Sequence, residues 1–409
     1  MPAPLGGSGA QVTGETRTKV TIIGAGPGGL AAAAALKGVG IPAIVLERAL
    51  SVGASWRKHY ERLHLHTARW LSGLPGLAIP RRAGTWVSRD DFIRYLEKYA
   101  HHHRLDVRLD TDVQRLERQG AGWCVATSKG SFASSSVVVA TGQNRVPLLP
   151  EWPGRGGFTG RFLHSSEYRS GTEHRGRDVL VVGAGNSGAE IAVDLMEQGA
   201  SRVRLAIRRP PNVVLRTIAG IVPAQLVSLA LSKLPLAVAD ALARATARIT
   251  IGDPRKLGLP APERGIYTQM VRDRQIPIID VGLVAALRAG HIGVVPAVEG
   301  FDGPSVRLRG GASIEPDVVV AATGFVPSLE PLLGHLGVLD GDGLPRCHGA
   351  SEVAEAPGLH FIGFSNPPTG NLREMGIDAR RIALLVRARE ARRPHPRAAR
   401  GAPLSGPSA

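Results

Sequence analysis

The sequence predicts an α/β fold made of two parallel-sheet units, with the second inserted into the first. A β-branched strand, a glycine-rich turn and a helix-forming stretch follow one another twice, from Lys19 and again from Asp178. Two further apolar runs, Val137–Val139 and Val318–Val320, both lead into the tripeptide Ala-Thr-Gly. Strands that alternate with helices are typical of parallel sheets covered by helices. The matched pair of Ala-Thr-Gly runs indicates one such strand for each unit.

The first glycine turn has the spacing of a dinucleotide-binding motif. Gly24, Gly26 and Gly29 follow a strand and open a helix with five consecutive alanines. In this motif the glycines allow a tight turn, a close approach of the backbone to a pyrophosphate, and close packing of helix on strand. The next strand ends at Glu47, where a carboxylate accepts hydrogen bonds from a ribose diol. A dinucleotide with a free ribose is therefore predicted here.

The second glycine turn repeats this spacing. Gly183, Gly185 and Gly188 follow a strand and open a helix, with Asn186 and Ser187 between them. The repeat predicts a second dinucleotide site in the same chain.

The residues that follow the strand after the second glycine turn distinguish the two predicted sites. That strand ends at Arg208 and Arg209, where the first unit has an acid. An arginine attracts a ribose 2′-phosphate, which an acid repels, so NADP is predicted at the second site. Two dinucleotide sites indicate two electron carriers, and FAD with NADPH is the common pairing for hydride transfer. We therefore expect two nested nucleotide units, with FAD in the first and NADPH in the second.

Composition argues against several other functions. The 409 residues carry a net charge of +16, which would suit binding to nucleic acid. Aromatic residues make up only 4%, however, and they do not alternate with basic residues as in proteins that stack bases. The two cysteines, Cys124 and Cys347, are far apart, which disfavours a disulfide scaffold, a zinc site and a disulfide reductase with a C-x-x-C pair. No metal site and no specific nucleic-acid partner are predicted.

The chain is predicted to divide into five segments. Residues 1–16 lack the apolar core of a signal peptide, so a cytoplasmic location is expected. The apolar stretch Thr217–Ser232 is short for a membrane span and predicts a buried helix or a substrate-channel wall, with an interfacial membrane helix as the alternative. The predicted segments are a disordered start (1–16), an FAD domain (17–150 and 325–386), an NADPH domain (151–324) with a helical insertion at about 213–279, and a basic disordered tail (387–409).

A motif just before the second glycine turn makes the sequence recognisable. The segment Phe158–Tyr168 has the spacing F-x-G-x-x-x-H-x-x-x-Y and resembles the identifying motif of class B flavin-dependent monooxygenases. The similarity runs from about Lys19 to Val386. Further stretches resemble the YUCCA-like branch, in order Ser55-Trp56, Tyr60–His66, Gly252–Gly258, Ala322–Phe325 and Gly376–Ala383.

The resemblance implies a reaction. Members of this family use NADPH and O₂, form a C4a-(hydro)peroxyflavin, and oxygenate a soft nitrogen or sulfur nucleophile. In the YUCCA-like branch the substrate is a 2-oxo acid such as indole-3-pyruvate, which then loses CO₂. The alternative is an NADPH-dependent flavoprotein reductase that passes electrons to a protein partner. The sequence does not predict the oligomeric state.

The resemblance also implies site residues. His66 and Asn371 are expected at the reacting end of the flavin, and His164 and Tyr168 are expected to position the cofactors. Val113 fits an ordinary core position as well as it fits a cofactor contact. His164 fits a purely structural role nearly as well as it fits cofactor positioning. The expected cofactor-binding residues are Gly24, Gly26, Gly29, Glu47, Arg48, Trp56, Val113, Thr141, Gly142, His164, Tyr168, Gly183, Gly185, Asn186, Ser187, Gly188, Arg208, Arg209, Thr323, Gly324, Gly363 and Asp378.

Overall fold

The structure is a computed structural model and describes residues 15–218 and 220–392. The first part of the chain forms β1 (Thr16–Ile23), α1 (Pro27–Gly38), β2 (Ala43–Leu46), α2 (Ala54–Arg57), α3 (Arg69–Ser72), α4 (Arg89–His102), β3 (Asp106–Arg108), β4 (Val113–Gln119), β5 (Gly122–Thr127) and β6 (Gly130–Val139).

The remaining elements follow in chain order. The middle of the chain forms β7 (Val146–Pro147), β8 (Arg161–His164), β9 (Asp178–Val182), α5 (Asn186–Glu197), β10 (Arg202–Ile207), β11 (Val213–Leu215), β12 (Thr217–Ile218), β13 (Val222–Pro223), α6 (Ala224–Leu231), α7 (Leu236–Thr250), α8 (Ile266–Arg272) and β14 (Ile278–Asp280). The last part forms α9 (Leu283–Arg288), β15 (Ile292–Pro296), β16 (Val298–Asp302), β17 (Ser305–Leu308), β18 (Ser313–Ile314), β19 (Val318–Ala321), β20 (Phe325–Val326), α10 (Glu330–Leu333), β21 (Leu359–Phe361) and α11 (Asn371–Arg392).

The first unit is built on a sheet of order β3-β2-β1-β6-β5-β4, with β21 also paired to β6. Strands β1, β2, β3, β6 and β21 run parallel, whereas β4 and β5 join antiparallel. Helices α1, α4 and α11 cover one face, where Leu30, Phe92 and Ile382 are fully buried. The glycine turn after β1 therefore lies at the carboxyl edge of a parallel sheet, where ligands bind in such folds.

The second unit is built on a parallel sheet of order β15-β10-β9-β19-β8. Helices α5 and α9 pack on one face, with Ile191 and Leu287 buried against Val181. The antiparallel strands β16, β17 and β18 cover the other face, where Phe301 packs against the sheet. All five strands lie between β6 and β21 of the first sheet in the sequence, so the predicted α/β fold with one unit inserted into the other is confirmed.

The two places where the chain crosses between the units pair with each other. Strand β7 leads into the second unit, β20 leads back, and the two strands pair antiparallel. Thr323 and Gly324 lie at this crossing, where the Thr323 hydroxyl donates to the Leu148 carbonyl and Leu148 N donates to the Gly324 carbonyl at 2.9 Å. The second Ala-Thr-Gly tripeptide thus joins the two crossing segments.

Two predicted boundaries are wrong. Residue Thr16 belongs to β1, and α11 continues to Arg392 instead of giving way to a disordered tail at 387. The extra turns of α11 are held by partners, because Arg389 bonds to Glu352 at 3.2 Å and Glu390 to Lys19 at 2.7 Å. The rest of both predicted disordered segments lies outside the described residues.

The apolar stretch Thr217–Ser232 was predicted to be a buried helix, and this prediction is wrong. It forms the β12–β13 hairpin and the short helix α6, in which only Gln225 is buried. Ile221 is 82% exposed and Leu226 is 40% exposed. The helix contacts the first unit through Gln225 in its first turn, and Leu231 at its end packs partly buried against α7 and α8. Among the described residues, no helix is both long enough and apolar enough to cross a membrane.

Candidate active site

A cleft of about 790 Å³ lies at the carboxyl edge of the first sheet. The strand ends Ile23, Leu46 and Ala140 form its floor, and Asn371 and Met375 of α11 line it from the side. This volume is typical of sites that hold a small organic ligand or a cofactor. The position after parallel strands is the one at which such folds bind nucleotides.

The first glycine turn (Gly24–Gly29) is shaped by contacts that exclude side chains. Gly24 has φ +107°, and a Cβ added there would lie 2.7 Å from the Ala140 carbonyl oxygen. A Cβ at Gly29 would lie 1.9 Å from the Gly24 oxygen, so helix and turn pack directly. A Cβ at Gly26 would meet no atom within 4 Å, and Gly26 lines the cleft. The open side of this turn and the amino end of α1 can therefore receive a pyrophosphate.

Glu47 lines the cleft at the end of β2 and also stabilises the glycine turn. Its carboxylate accepts hydrogen bonds from Ala25 N at 2.8 Å and from Ala49 N at 3.0 Å. Each carboxylate oxygen can accept more than one hydrogen bond, so these contacts leave acceptor capacity for a ribose.

Two buried polar atoms at the cleft lack a hydrogen-bond partner within the described residues. They are Oγ1 of Thr141 and Oδ1 of Asn371, and both residues line the cleft. Buried polar atoms are normally hydrogen-bonded, and an unpaired one costs about 1–3 kcal/mol. These atoms therefore fit a polar ligand that occupies the cleft, as a flavin dinucleotide would.

Of the three arginines that line the cleft in the described part of the chain, two lie near each other. They are Arg48, which the sequence predicted, and Arg145, which it missed, and the third is Arg169. Burial and the charge of Arg48 lower the pKa of Arg145, and Asp112 opposes this shift. Two cations that repel each other in a cleft are stabilised by a bound anion such as a phosphate.

His66 lines the cleft and belongs to the segment 58–67, which contacts helix α5 of the second unit. Trp56 and Leu65 line the cleft beside His66, and Trp56 packs edge-on against Phe92 at 4.5 Å. Nε2 of His66 hydrogen-bonds to Glu190, a carboxylate of α5 that is 3% exposed. The cleft of the first unit is thereby joined to the helix of the second.

The segment around His66 makes several contacts with α5. Burial lowers the pKa of His59, whereas burial and the neighbouring Glu190 carboxylate raise the pKa of Tyr60. Arg62 forms an ion pair with Glu197 further along the helix. The interface between the units therefore contains matched charges and hydrogen bonds.

The second glycine turn (Gly183–Gly188) repeats the geometry of the first. Gly183 has φ +111°, and a Cβ there would lie 2.5 Å from the Ala322 carbonyl oxygen. A Cβ at Gly188 would lie 1.9 Å from the Gly183 oxygen, whereas Gly185 has open space around it. The turn thus has the same open face at a helix start, but it does not line the cleft.

The polar residues of the second site have different surroundings. Asn186 donates to the Pro277 carbonyl at 3.1 Å and accepts from Ile279 N at 2.7 Å, so its amide holds the end of the insertion. Ser187 lies beside Tyr60. Arg208 and Arg209 are exposed at the end of β10 and, within the described residues, make no hydrogen bond or ion pair. Both guanidinium groups are accessible to an anionic ligand.

The histidine and tyrosine of the F-x-G-x-x-x-H-x-x-x-Y motif are buried and do not line the cleft. His164 Nε2 bonds to the Gly324 carbonyl at 3.1 Å, and its pKa is lowered by burial. The Tyr168 hydroxyl donates to Asp194 at 2.7 Å. Both side chains contact protein partners, and their expected role in positioning the cofactors stays a prediction.

The other predicted residues separate into two groups. Gly142 and Gly363 line the cleft, each with a positive φ, whereas Asp378 of α11 faces Gly349 outside the cleft. Sequence reasoning missed Gln143 and Asn366, which also line the cleft and bond to each other at 2.6 Å. Gln143 directly follows the first Ala-Thr-Gly tripeptide, so its place at the strand end was a usable signal.

Three known proteins and one family model bear on this site. The family model described as pyridine nucleotide-disulphide oxidoreductase matches residues 21–224. The probable indole-3-pyruvate monooxygenase YUCCA1 of Arabidopsis thaliana is 34% identical over 349 residues, covering 84% of each chain. Indole-3-pyruvate monooxygenase YUCCA8 of Oryza sativa subsp. indica is 35% identical over 384 residues, covering 90% of each chain. The flavin-containing monooxygenase of Stenotrophomonas maltophilia has a similar fold, with a TM-score of 0.67 at 23% identity over 90% of this chain and 99% of the other.

The relatives confirm the resemblance that the motif indicated. The matches cover 84% and 90% of this chain. The solved structure is less than 25% identical and shows the shared fold alone. The chain belongs to the YUCCA family of flavin-dependent monooxygenases and is a flavoprotein monooxygenase.

Proposed function

We propose that this chain binds FAD in the cleft and NADPH at the second glycine turn, and that it oxygenates an aromatic 2-oxo acid such as indole-3-pyruvate. The observation that supports this most strongly is the contact between Glu190 and His66, which joins the helix of the second turn to the cleft of the first. In this proposal the FAD domain comprises residues 16–150 and 325–392, from the start of β1 to the end of α11, and the NADPH domain comprises 151–324.

The proposed FAD site uses three sets of groups. The first glycine turn and the amino end of α1 face the pyrophosphate, and Glu47 accepts from the adenosine ribose. Arg48 and Arg145 balance the phosphate charge near Val113. Thr141 and Asn371 supply the polar atoms that otherwise lack a partner.

The proposed NADPH site uses the second glycine turn and Arg208. The open backbone at Gly185 and the amino end of α5 face the pyrophosphate. Arg208 is exposed after β10, at the place where Glu47 follows β2 in the first unit. A guanidinium there favours the 2′-phosphate that distinguishes NADPH from NADH.

The insertion is docked beside the proposed substrate site. Gln225 of α6 accepts from Ala68 N at 3.0 Å and donates to the Thr369 carbonyl at 2.8 Å. These two loops lead from His66 and into Asn371, the residues proposed to contact the substrate. When bound, the flavin supplies the redox and oxygen chemistry, while the protein orients the substrate and excludes water.

The test follows the oxygen atom. The purified holoenzyme is supplied with NADPH, ¹⁸O₂ and indole-3-pyruvate, and in parallel with a tertiary amine or a sulfide. The proposal predicts one ¹⁸O in the acid that has one carbon fewer, together with one CO₂ per NADPH oxidised. Labelled N-oxide or S-oxide in place of the acid would overturn the proposed substrate. NADPH oxidation that yields only hydrogen peroxide with every substrate would overturn the proposed oxygenation.

A further inference from the structure

Glu190 is a carboxylate buried between the two units. It is 3% exposed and lies in the first turns of α5, directly after the second glycine turn. A buried carboxylate is stable in a protein only if charged or hydrogen-bonding partners surround it. Its hydrogen-bond partner, His66, comes from the other unit and lines the cleft.

Other charged and titratable groups face Glu190 from each neighbouring element. His59 and Tyr60 approach from the segment that carries His66, and Arg216 approaches from the insertion. The Arg216 guanidinium also lies over the Trp86 ring, 4.6 Å from its centroid. These groups surround the carboxylate. His59 and His66 both line the cleft, and the Glu190 carboxylate is hydrogen-bonded to His66.

The two ring nitrogens of His66 differ in their surroundings. Nε2 bonds to Glu190, while Nδ1 makes no hydrogen bond within the described part of the chain. In proteins a carboxylate that accepts from one imidazole nitrogen fixes the tautomer and the orientation of the ring. The other nitrogen is then available to a ligand.

We propose that Glu190 is a positioning residue that holds a proton of His66 at Nε2 and thereby presents Nδ1 to the ligand in the cleft. The step from ring orientation to turnover rests on the proposed function, in which His66 contacts the substrate. Because Glu190 and His66 come from different units, the imidazole is oriented only when the two units pack as described.

The first experiment measures the tautomer of His66. The flavin-loaded protein is labelled with ¹⁵N-histidine, and its imidazole resonances are recorded at neutral pH, with His66→Gln to assign the His66 signals. The wild type should show a protonated, hydrogen-bonded Nε2, and Glu190→Gln should convert this signal to a mixture of tautomers. The matched control is Glu197→Gln, which removes a carboxylate from the same helix at the Arg62 ion pair. A wild type protonated at Nδ1 alone, or a signal unchanged in Glu190→Gln, would overturn the proposal.

The second experiment separates positioning from folding. Glu190→Gln should lower kcat about tenfold or more, with the KM for NADPH changed less than about twofold, as in other sites where a histidine loses its carboxylate. Glu190→Asp should restore part of the loss, and Glu197→Gln should change neither constant. Equal effects of Glu190→Gln and Glu197→Gln would indicate a general loss of unit packing and would refute positioning. The tautomer measurement needs no turnover, so it remains decisive if the substrate proposal fails.

Discussion

At the residue scale, the strongest contrast between the two nucleotide sites lies in the residues that follow equivalent strands. Glu47 follows β2 and is held by two backbone amides, whereas Arg208 follows β10 and is exposed to solvent. An acid and a base at matching places distinguish a free ribose from a phosphorylated one. In the proposed assignment, the choice between NADPH and NADH therefore depends on the side chain at position 208.

Replacement of Arg208 should therefore affect one nucleotide and spare the other. Arg208→Gln should raise the KM for NADPH by about tenfold to a hundredfold, because a hydrogen bond to a charged group contributes about 1.5–3 kcal/mol. The KM for NADH should change little. The control is Arg202→Gln at the opposite end of the same strand, where the side chain pairs with Asp178. Equal shifts for NADPH and NADH in Arg208→Gln would refute the assignment.

The unpaired Oγ1 of Thr141 leads to a second prediction at this scale. Thr141→Val removes a buried polar atom that has no hydrogen-bond partner in the described part of the chain, so the unfolding midpoint of the flavin-free protein should stay the same or rise. The Kd for FAD should increase about threefold to tenfold, through loss of one hydrogen bond.

The contrasting variant is Thr111→Val in the same cleft, because the Thr111 hydroxyl donates to the Leu109 carbonyl at 3.0 Å. That change should lower the midpoint of the flavin-free protein. Thermal unfolding and flavin titration measure the two quantities. A lower midpoint in Thr141→Val would show that its hydroxyl has a protein partner.

At the scale of elements, both units depend on direct packing between a glycine turn and the helix that follows. A Cβ added at Gly29 would lie 1.9 Å from the Gly24 oxygen, and a Cβ added at Gly188 would lie 1.9 Å from the Gly183 oxygen. No side chain fits at that distance, so strand, turn and helix form one rigid element in each unit. The amino end of each helix is held in place by this contact.

Addition of one methyl group at this contact should be destructive. Gly29→Ala should lower the free energy of unfolding by about 3 kcal/mol or more and reduce the flavin content, because helix α1 must move away from the turn. Gly38→Ala at the other end of α1 is the control, since its Cβ would meet no atom within 4 Å. That variant should match or slightly exceed the wild-type stability. Similar losses in both variants would contradict the packing argument.

Sequence reasoning succeeded where structure is local and failed where it depends on distant contacts. The glycine turns and the strand that ends at Glu47 were predictable, because each depends on neighbouring residues. The end of α11 was not, because Glu390 is held by Lys19 from the other end of the chain. The contact between His66 and Glu190 also escaped prediction, since the residues are 124 positions apart. Hydrophobicity alone suggested burial for Ile221, which is 82% exposed in the fold.

At the scale of the whole molecule, the last strand and the last helix close the first unit. Strand β21 inserts His360 into the core with an exposed fraction of 0%, and α11 brings Arg389 to the same place. Glu352 lies between them, 3.4 Å from Nε2 of His360 and 3.2 Å from Arg389. A histidine enclosed in this way is stable in its neutral form.

This arrangement should make the stability of the protein depend on pH in a defined range. Burial and the charge of Arg389 lower the pKa of His360 to about 4, against the opposing effect of Glu352. In the unfolded chain the histidine has its ordinary pKa of about 6.5, so between these values the unfolded state binds more protons. The contribution of His360 to stability is therefore complete above pH 6.5 and is lost as the pH falls toward 4. The urea midpoint of the wild type should decrease as the pH falls through this range. In His360→Gln the midpoint should depend less on pH. The control is His101→Gln, exposed at the end of α4, in which the midpoint should depend on pH as in the wild type. Equal slopes in wild type and His360→Gln would show that another group controls the acid sensitivity.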